Sequence, residues 1–289
     1  MKMQQEIKRE SCVAISLFFP SLLIAYMMLM HFLSVVSFFY DLNLPVGKYF
    51  FLIVLGIPLV AATLYTVLSV SVKNKSSDCG FRELFPFITG FVGLILWSSG
   101  YYFIGLMQSP SRMHSLATFF DGRISIIPST VFIYLTVYTI FLLSFFTCSE
   151  NSRSIKILIT FISMLILNYL LMYIYPVSME RVIPEGSTTA DMVLRLVQSS
   201  DVPHNCFPSS HCSVALLSAL IIQEHKNKSL KIFSWVSAIG ISLTTVTTKQ
   251  HFFLDIIGGW ILAIVLWYFI YNNEKIGNFS EYLRVKLNV

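Results

Sequence analysis

The stretch FFLDIIGGWILAIVLWYFIY, residues 252–271, holds one ionisable residue in twenty. As a helix, about 20 residues at 1.5 Å each cover the ~30 Å hydrocarbon core of a bilayer. Inside that core every backbone N–H and C=O needs a partner within the protein, which leaves helices and closed barrels as the spanning forms. Comparable apolar runs fall at about 13–39, 49–72, 84–107, 126–147, 155–175, 210–223 and 231–248, with the last at about 252–272. The sixth is short. The sequence therefore predicts an all-α fold, a polytopic membrane bundle of about eight transmembrane helices. Charged residues make up 12% of the chain, against about 25% in soluble domains, so little polar sequence remains for a soluble domain. The opening MKMQQEIKRE runs into a long apolar stretch with no small-residue cleavage site, and is read as leading into an uncleaved first span.

The net charge of +5 is spread thinly, without the basic stripe and interleaved aromatics of a nucleic-acid binder. It is better used for topology. With eight spans, the N-terminus, 73–83, 148–156, 224–231 and the C-terminal tail share one side and carry fourteen Lys and Arg. The other side carries six: Lys48, Arg112, Arg123, Arg181, Arg195 and Lys249. The positive-inside rule puts the first set in the cytoplasm. The chain is expected in a cell (inner) membrane, with its second set of loops on the periplasmic or lumenal side.

Two polar constellations fall at that second side. The first is Pro208-Ser209-Ser210-His211, at the mouth of the sixth span; the second lies in TTKQHFFLDIIGGW, Thr247 to Trp260. Spans six and seven carry the chain in and back, which returns His211 and His251 to one face. His251 and Asp255, spaced i, i+4, share a helix face within contact range. A carboxylate beside a histidine fixes its tautomer and presents the other nitrogen outward. An ionisable residue within an apolar span is costly and marks a functional site by default; the plainer reading is an interfacial histidine beside a packing aspartate. Ser209 or Ser210 can cap the sixth helix, whose free N–H groups suit an anion, and His211 in its first turn can donate a proton. Together these supply a nucleophile, an orienting base, an anion cradle and a general acid, the needs of phosphoryl transfer through a phosphohistidine.

A zinc site needs three or four ligands, and no further His, Cys or Glu is spaced for one, so no metal and no cofactor are expected. Cys206 and Cys212 flank the first motif. They read either as a disulfide or as two small apolar residues. The stretch 176–209 is the longest polar segment and contains a short helical pattern, TTADMVLRLVQ, with Thr188 or Thr189 as its cap; it is expected to lie over the site. Trp97, Tyr101, Tyr102 and Phe103 in the third span either shape a pocket or form an interfacial belt.

PSSH followed about 40 residues later by H-x-x-x-D-x-x-x-G, here His251, Asp255 and Gly259, resembles the type-2 phosphatidic acid phosphatase superfamily. The resemblance covers roughly 84–272. It implies a six-helix phosphatase-like core (76–289) preceded by an N-terminal transmembrane hairpin (1–75), with the site at the outer membrane boundary. It also implies roles: His251 as nucleophile, Asp255 as its orienting base, His211 as the proton donor to the leaving alkoxide, and Ser209 and Ser210 on phosphate oxygens. The sequence departs from the family pattern in its cations. Thr244 and Thr245 stand where the third motif has Ser-Arg, leaving Lys249 as the nearest candidate clamp. In the first motif Arg181 is the candidate, but Ile174 replaces the lysine and Val182 the proline. In this it looks most like the branch of inositol phosphorylceramide and sphingomyelin synthases.

The expected function is hydrolysis of a membrane lipid phosphate ester. The alternative is transfer of a phospho-head group to a lipid alcohol, since water or an alcohol can attack the same phosphoenzyme. The other class is a non-catalytic lipid-binding or transport protein. A secondary transporter should show internal repeats and broken helices near the midplane, and an inactive relative should have lost a histidine or the aspartate; neither is seen in the sequence.

Overall fold

The computed structural model describes residues 18–27, 29, 30, 33, 81–148 and 150–289. Helix α1 (Phe18–Met27) falls within the first expected span. The second expected span and the boundary at residue 75 lie outside the described residues. The rest is helical in the expected places: α2 (Phe81–Leu106), α3 (Val131–Tyr134), α4 (Val137–Phe146), α5 (Asn151–Ile174), α6 (Thr189–Ser200), α7 (Ser210–Ile222), α8 (Lys228–Thr247) and α9 (Phe253–Leu266), while α10 (Glu274–Lys286) forms in the tail where no helix was expected. A 3-10 turn at Pro128–Thr130 leads into α3 and makes one span with α3 and α4, Pro128–Phe146, and α9 runs on through a π-helical turn, Trp267–Tyr271. Among the described residues five helices are long and apolar enough to cross a membrane, and there is no β-strand. The protein is an all-helical polytopic bundle.

The spans alternate in direction. Helices α2, α5 and α8 run toward one end, and α3–α4, α7 and α9 run away from it. The connections 107–127, 175–209 and 248–252 therefore gather at that end. Outward faces of the long helices carry exposed Ile95, Ile166, Ile232, Leu243 and Ile261, as lipid-facing surfaces do.

Helix α7 is different. All thirteen of its residues are buried, and it packs against α4, α5, α8 and α9. At 1.5 Å per residue it covers only about 20 Å, short of a bilayer, but a helix jacketed by other helices needs no lipid face of its own. Ser213, Ala215, Ser218 and Ala219 on α7 and Ser234, Ser237, Ala238 and Ser242 on α8 are buried, and such small side chains let helices approach closely.

The long loop 175–209 is pinned rather than free. His114 N–H donates to Pro176 O (2.9 Å), Ser178 N–H to His114 O (2.9 Å), Cys206 N–H to Val177 O (3.1 Å) and Met179 N–H to Pro203 O (3.0 Å). Val177, Met179, Cys206 and Phe252 form a small apolar cluster beneath it. Within the loop, α6 starts at a capping box: Thr188 Oγ1 accepts from Asp191 N–H (3.3 Å) and Asp191 Oδ2 accepts from Thr188 N–H (3.0 Å). Its apolar face, Ala190, Val193 and Leu194, packs on Val131, Phe132, Met30 and Leu33. Cys206 and Cys212 are free thiols in separate apolar clusters.

The start of α7 is fastened to the start of α9. Ser209 N–H donates to Asp255 O at 3.1 Å. A Cβ built on Gly259 would stand 2.6 Å from Ser209 O, against backbone that cannot swing aside. Gly259→Ala should therefore cost about 1–3 kcal/mol of stability by overpacking. Gly277→Ala, where an added Cβ meets nothing within 4 Å, should gain up to about 1 kcal/mol from helix propensity. Thermal unfolding of the two variants in detergent checks the pair. Equal midpoints would contradict the close approach at Gly259.

Candidate active site

The two histidines meet at the loop-rich end. His251 precedes α9 and is 2% exposed; His211 is in the first turn of α7 and is 4% exposed. His251 Nδ1 lies 2.9 Å from Cys206 O and 3.4 Å from Asp255 Oδ2. A carbonyl and a carboxylate only accept, so Nδ1 carries the proton and the lone pair of neutral His251 is on Nε2. That Nε2 faces His211 Nδ1 at 3.4 Å, and His211 Nε2 faces the Tyr134 hydroxyl at 3.0 Å. One chain of contacts thus runs from Asp255 and the Cys206 carbonyl through both rings to Tyr134.

Asp255 is fully buried. Its Oδ2 also accepts from Phe252 N–H at 2.8 Å, at the start of α9, where the helix dipole favours negative charge. Its Oδ1 is buried without a partner. A buried carboxylate in this setting depends on its histidine. The i, i+4 spacing therefore gives a real contact, although the Cys206 carbonyl is closer.

The PSSH segment divides its labour. Ser209 is the N-cap: its Oγ accepts from Cys212 N–H at 3.3 Å. Its carbonyl takes both Ser213 N–H (3.0 Å) and Ser213 Oγ–H (2.8 Å). Ser210 Oγ is buried with no partner and lines a cavity of about 200 Å³ that also touches His211. Trp97, Tyr101, Tyr102, Tyr134 and Tyr138 line this cavity, with Leu196, Ser200 and Asp201 from the α6 side. Three of the four third-span aromatics thus shape a pocket, while Phe103 faces outward, 61% exposed. The loop helix α6 lies over the site as its position in the sequence implied.

The two candidate clamps are engaged elsewhere. Arg181 donates from Nη1 to Lys249 O (3.1 Å) and Gln250 O (2.7 Å), and from Nη2 to Asp201 Oδ2 (2.6 Å). Asp201 Oδ1 in turn accepts from Tyr101 Oη–H at 2.7 Å. Lys249 sits in left-handed backbone (φ 55°) and sends Nζ to Asp121 O at 2.9 Å. Both cations brace the segment just before His251. Arg112 donates to Tyr173 O, Arg195 to Pro184 O and Gly186 O, and Arg123 lies over the Phe119 ring. Every arginine and lysine described at this end already has a partner.

Cys206 adds a group that spacing along the chain did not reveal. Its Sγ, a ring nitrogen of His251 and an Asp255 oxygen lie within 4.8 Å of one another, close enough to hold a metal ion. The donors suit one only in part. Burial pushes the Cys206 thiol well up, which opposes the thiolate a metal needs, and His251 Nδ1 is turned to the Cys206 carbonyl. Tyr134, Asp201 and the Cys206 carbonyl were likewise missed by sequence reasoning. Each comes from a distant part of the chain with no local spacing to announce it.

No curated protein and no solved structure matches the chain. Residues 157–276, which hold PSSH, His251, Asp255 and Gly259, match the family model of the PAP2 superfamily.

Proposed function

We propose that the protein is an integral-membrane enzyme that cleaves a lipid phosphate ester through a phosphohistidine on His251. The observation that carries this reading is the paired histidine geometry: Nδ1 of His251 held as a donor, and its Nε2 lone pair 3.4 Å from His211 Nδ1. Nε2 attacks phosphorus, Asp255 steadies the imidazolium that develops, and His211 protonates the departing alkoxide. Ser210 Oγ and the first-turn N–H groups of α7 receive phosphate oxygens. Ser209 shapes that turn as its cap. Arg181 and Lys249 contribute positive charge from behind His251, through the segment they brace. The scheme uses no metal. The charge distribution of the loops supports a site on the extracytoplasmic face.

A second reading, head-group transfer to a lipid alcohol, is favoured by the committed cations. A phosphate monoester near neutral pH carries close to two negative charges, and among the described residues the cavity is lined by no guanidinium or ammonium to meet them. A phosphodiester carries one. The difference lies in which acceptor reaches the phosphohistidine.

The test uses purified protein in detergent with lipid phosphates and phospholipids, with and without an added lipid alcohol. Phosphate release without acceptor is expected for the phosphatase. A new phospholipid formed only with acceptor would favour the transferase. Neither product would support a non-catalytic role. His251→Ala should abolish turnover in folded protein, and surviving activity would remove the phosphohistidine. Asp255→Asn should retain a residual rate, down on the order of 10³–10⁴-fold; a wild-type rate would make Asp255 a packing residue. Chelator treatment should leave activity intact, and loss restored by a divalent ion would move the chemistry to the Cys206–His251–Asp255 cluster.

A further inference from the structure

His211 stands in an aromatic enclosure. Its ring centroid lies 4.8 Å from Tyr134, 5.9 Å from Trp97, 6.3 Å from Tyr138 and 6.5 Å from Tyr101. Among the described residues, Tyr134 supplies the hydroxyl that reaches the ring, at Nε2. Tyr101 spends its hydroxyl on Asp201. Tyr134 is itself 2% exposed, so water is a poor substitute for it.

We infer that Tyr134 is a positioning residue for the proposed reaction, holding His211 so that Nδ1 is the nitrogen that exchanges its proton with substrate. The inference rests on the reading of His211 as proton donor. In the first step the His251 Nε2 lone pair forms a bond to phosphorus and the bond from phosphorus to the leaving oxygen breaks. The leaving oxygen takes the Nδ1 proton of imidazolium His211. His211 is then neutral, with its remaining proton on Nε2, donated to the Tyr134 oxygen. In the second step water or an alcohol attacks phosphorus, gives its proton to His211 Nδ1, and the bond from phosphorus to His251 breaks.

Through this cycle Nε2 must keep its proton while Nδ1 loses and regains one. A hydroxyl at 3.0 Å accepts from Nε2–H in both states. It can also donate to a bare Nε2 if the ring rests as the Nδ1–H tautomer facing the His251 lone pair. A carbonyl could only accept, and a phenylalanine could do neither. Without the hydroxyl, a buried Nε2–H is left unpaired and the neutral ring is free to place its proton on either nitrogen.

Tyr134→Phe keeps the ring against His211 and removes only the oxygen. For an ester with an alkyl alcohol as leaving group, the first-turnover release of alcohol should slow roughly tenfold to a hundredfold, with substrate affinity little changed. For a p-nitrophenyl ester, whose leaving group departs without a proton, the first-turnover burst of p-nitrophenol should match wild type. Tyr282→Phe, which removes an exposed hydroxyl on α10 away from this cavity, should slow neither ester. If Tyr134→Phe slowed the first turnover of both esters equally, or of neither, the inference would be overturned. Should Tyr134→Phe fail to fold, 3-fluorotyrosine at 134 keeps the hydroxyl with altered acidity. It should change the ratio of the two rates, and an unchanged ratio would likewise overturn the inference. His251→Ala is run in parallel. Turnover by that variant would sink the underlying mechanism, whereas an inactive His251→Ala beside equal slowing by Tyr134→Phe would sink only the role of Tyr134.

Discussion

The backbone of Ser209 is held against the first turns of α9, and the rest of the site hangs on that contact. Ser209 N–H bonds to the Asp255 carbonyl, and the absent side chain of Gly259 lets the Ser209 carbonyl close in. Asn168 Nδ2 adds a hydrogen bond from α5 to Pro208 O at 3.2 Å. The start of α7 is thereby fixed relative to the start of α9, and His211 and His251 follow, His211 two residues after Ser209 and His251 four before Asp255. The aspartate is doubly placed: its main chain holds the first motif and its side chain faces the histidine of the second. This gives the H-x-x-x-D-x-x-x-G spacing a physical content. The first interval puts carboxylate and imidazole on one helix face, and the second puts a bare backbone where α7 must pass.

Electrostatically the site is austere. A lipid phosphate usually calls for cations, yet those at this end are turned to carbonyls, a carboxylate or a ring. Arg181 joins the 249–250 backbone to Asp201 and, through it, to Tyr101 on α2. It therefore ties the loop before His251 to the wall of the cavity. Among the described residues, the cavity is faced by the unpartnered Ser210 hydroxyl, a helix start and an imidazole among aromatic rings. Such a surface suits one negative charge better than two, and leaves the histidines to supply the balance.

Much of this was legible along the chain. Hydropathy located the spans, because lipid forbids unpaired backbone. The Thr188 cap and the amphipathic pattern of 188–198 predicted α6. The i, i+4 pair and PSSH predicted two histidines on one face, and the alternation of spans delivers them there. Helix α7 was hard to judge because its apolar residues point in all directions, as they must in a helix buried on every side. Which serine caps it was open by composition alone; Ser209 takes the cap and Ser210 is left facing the cavity. The partners of the histidines were illegible. Tyr134 is 77 residues from His211 and the Cys206 carbonyl 45 from His251, and a backbone acceptor has no sequence signature. The orientation of Arg181 and Lys249 was equally hidden, since residue type announces charge but not where the side chain points.

The central claim is a covalent bond between His251 and phosphorus. The most direct measurement is rapid quenching of the enzyme with a lipid substrate labelled at phosphorus, followed by peptide mapping under alkaline conditions that preserve phosphohistidine. The account predicts label on the peptide containing His251, stable in base, lost in acid, and absent from His251→Ala. Turnover of the labelled lipid with no protein-bound label at any quench time, or label on another residue, would contradict it.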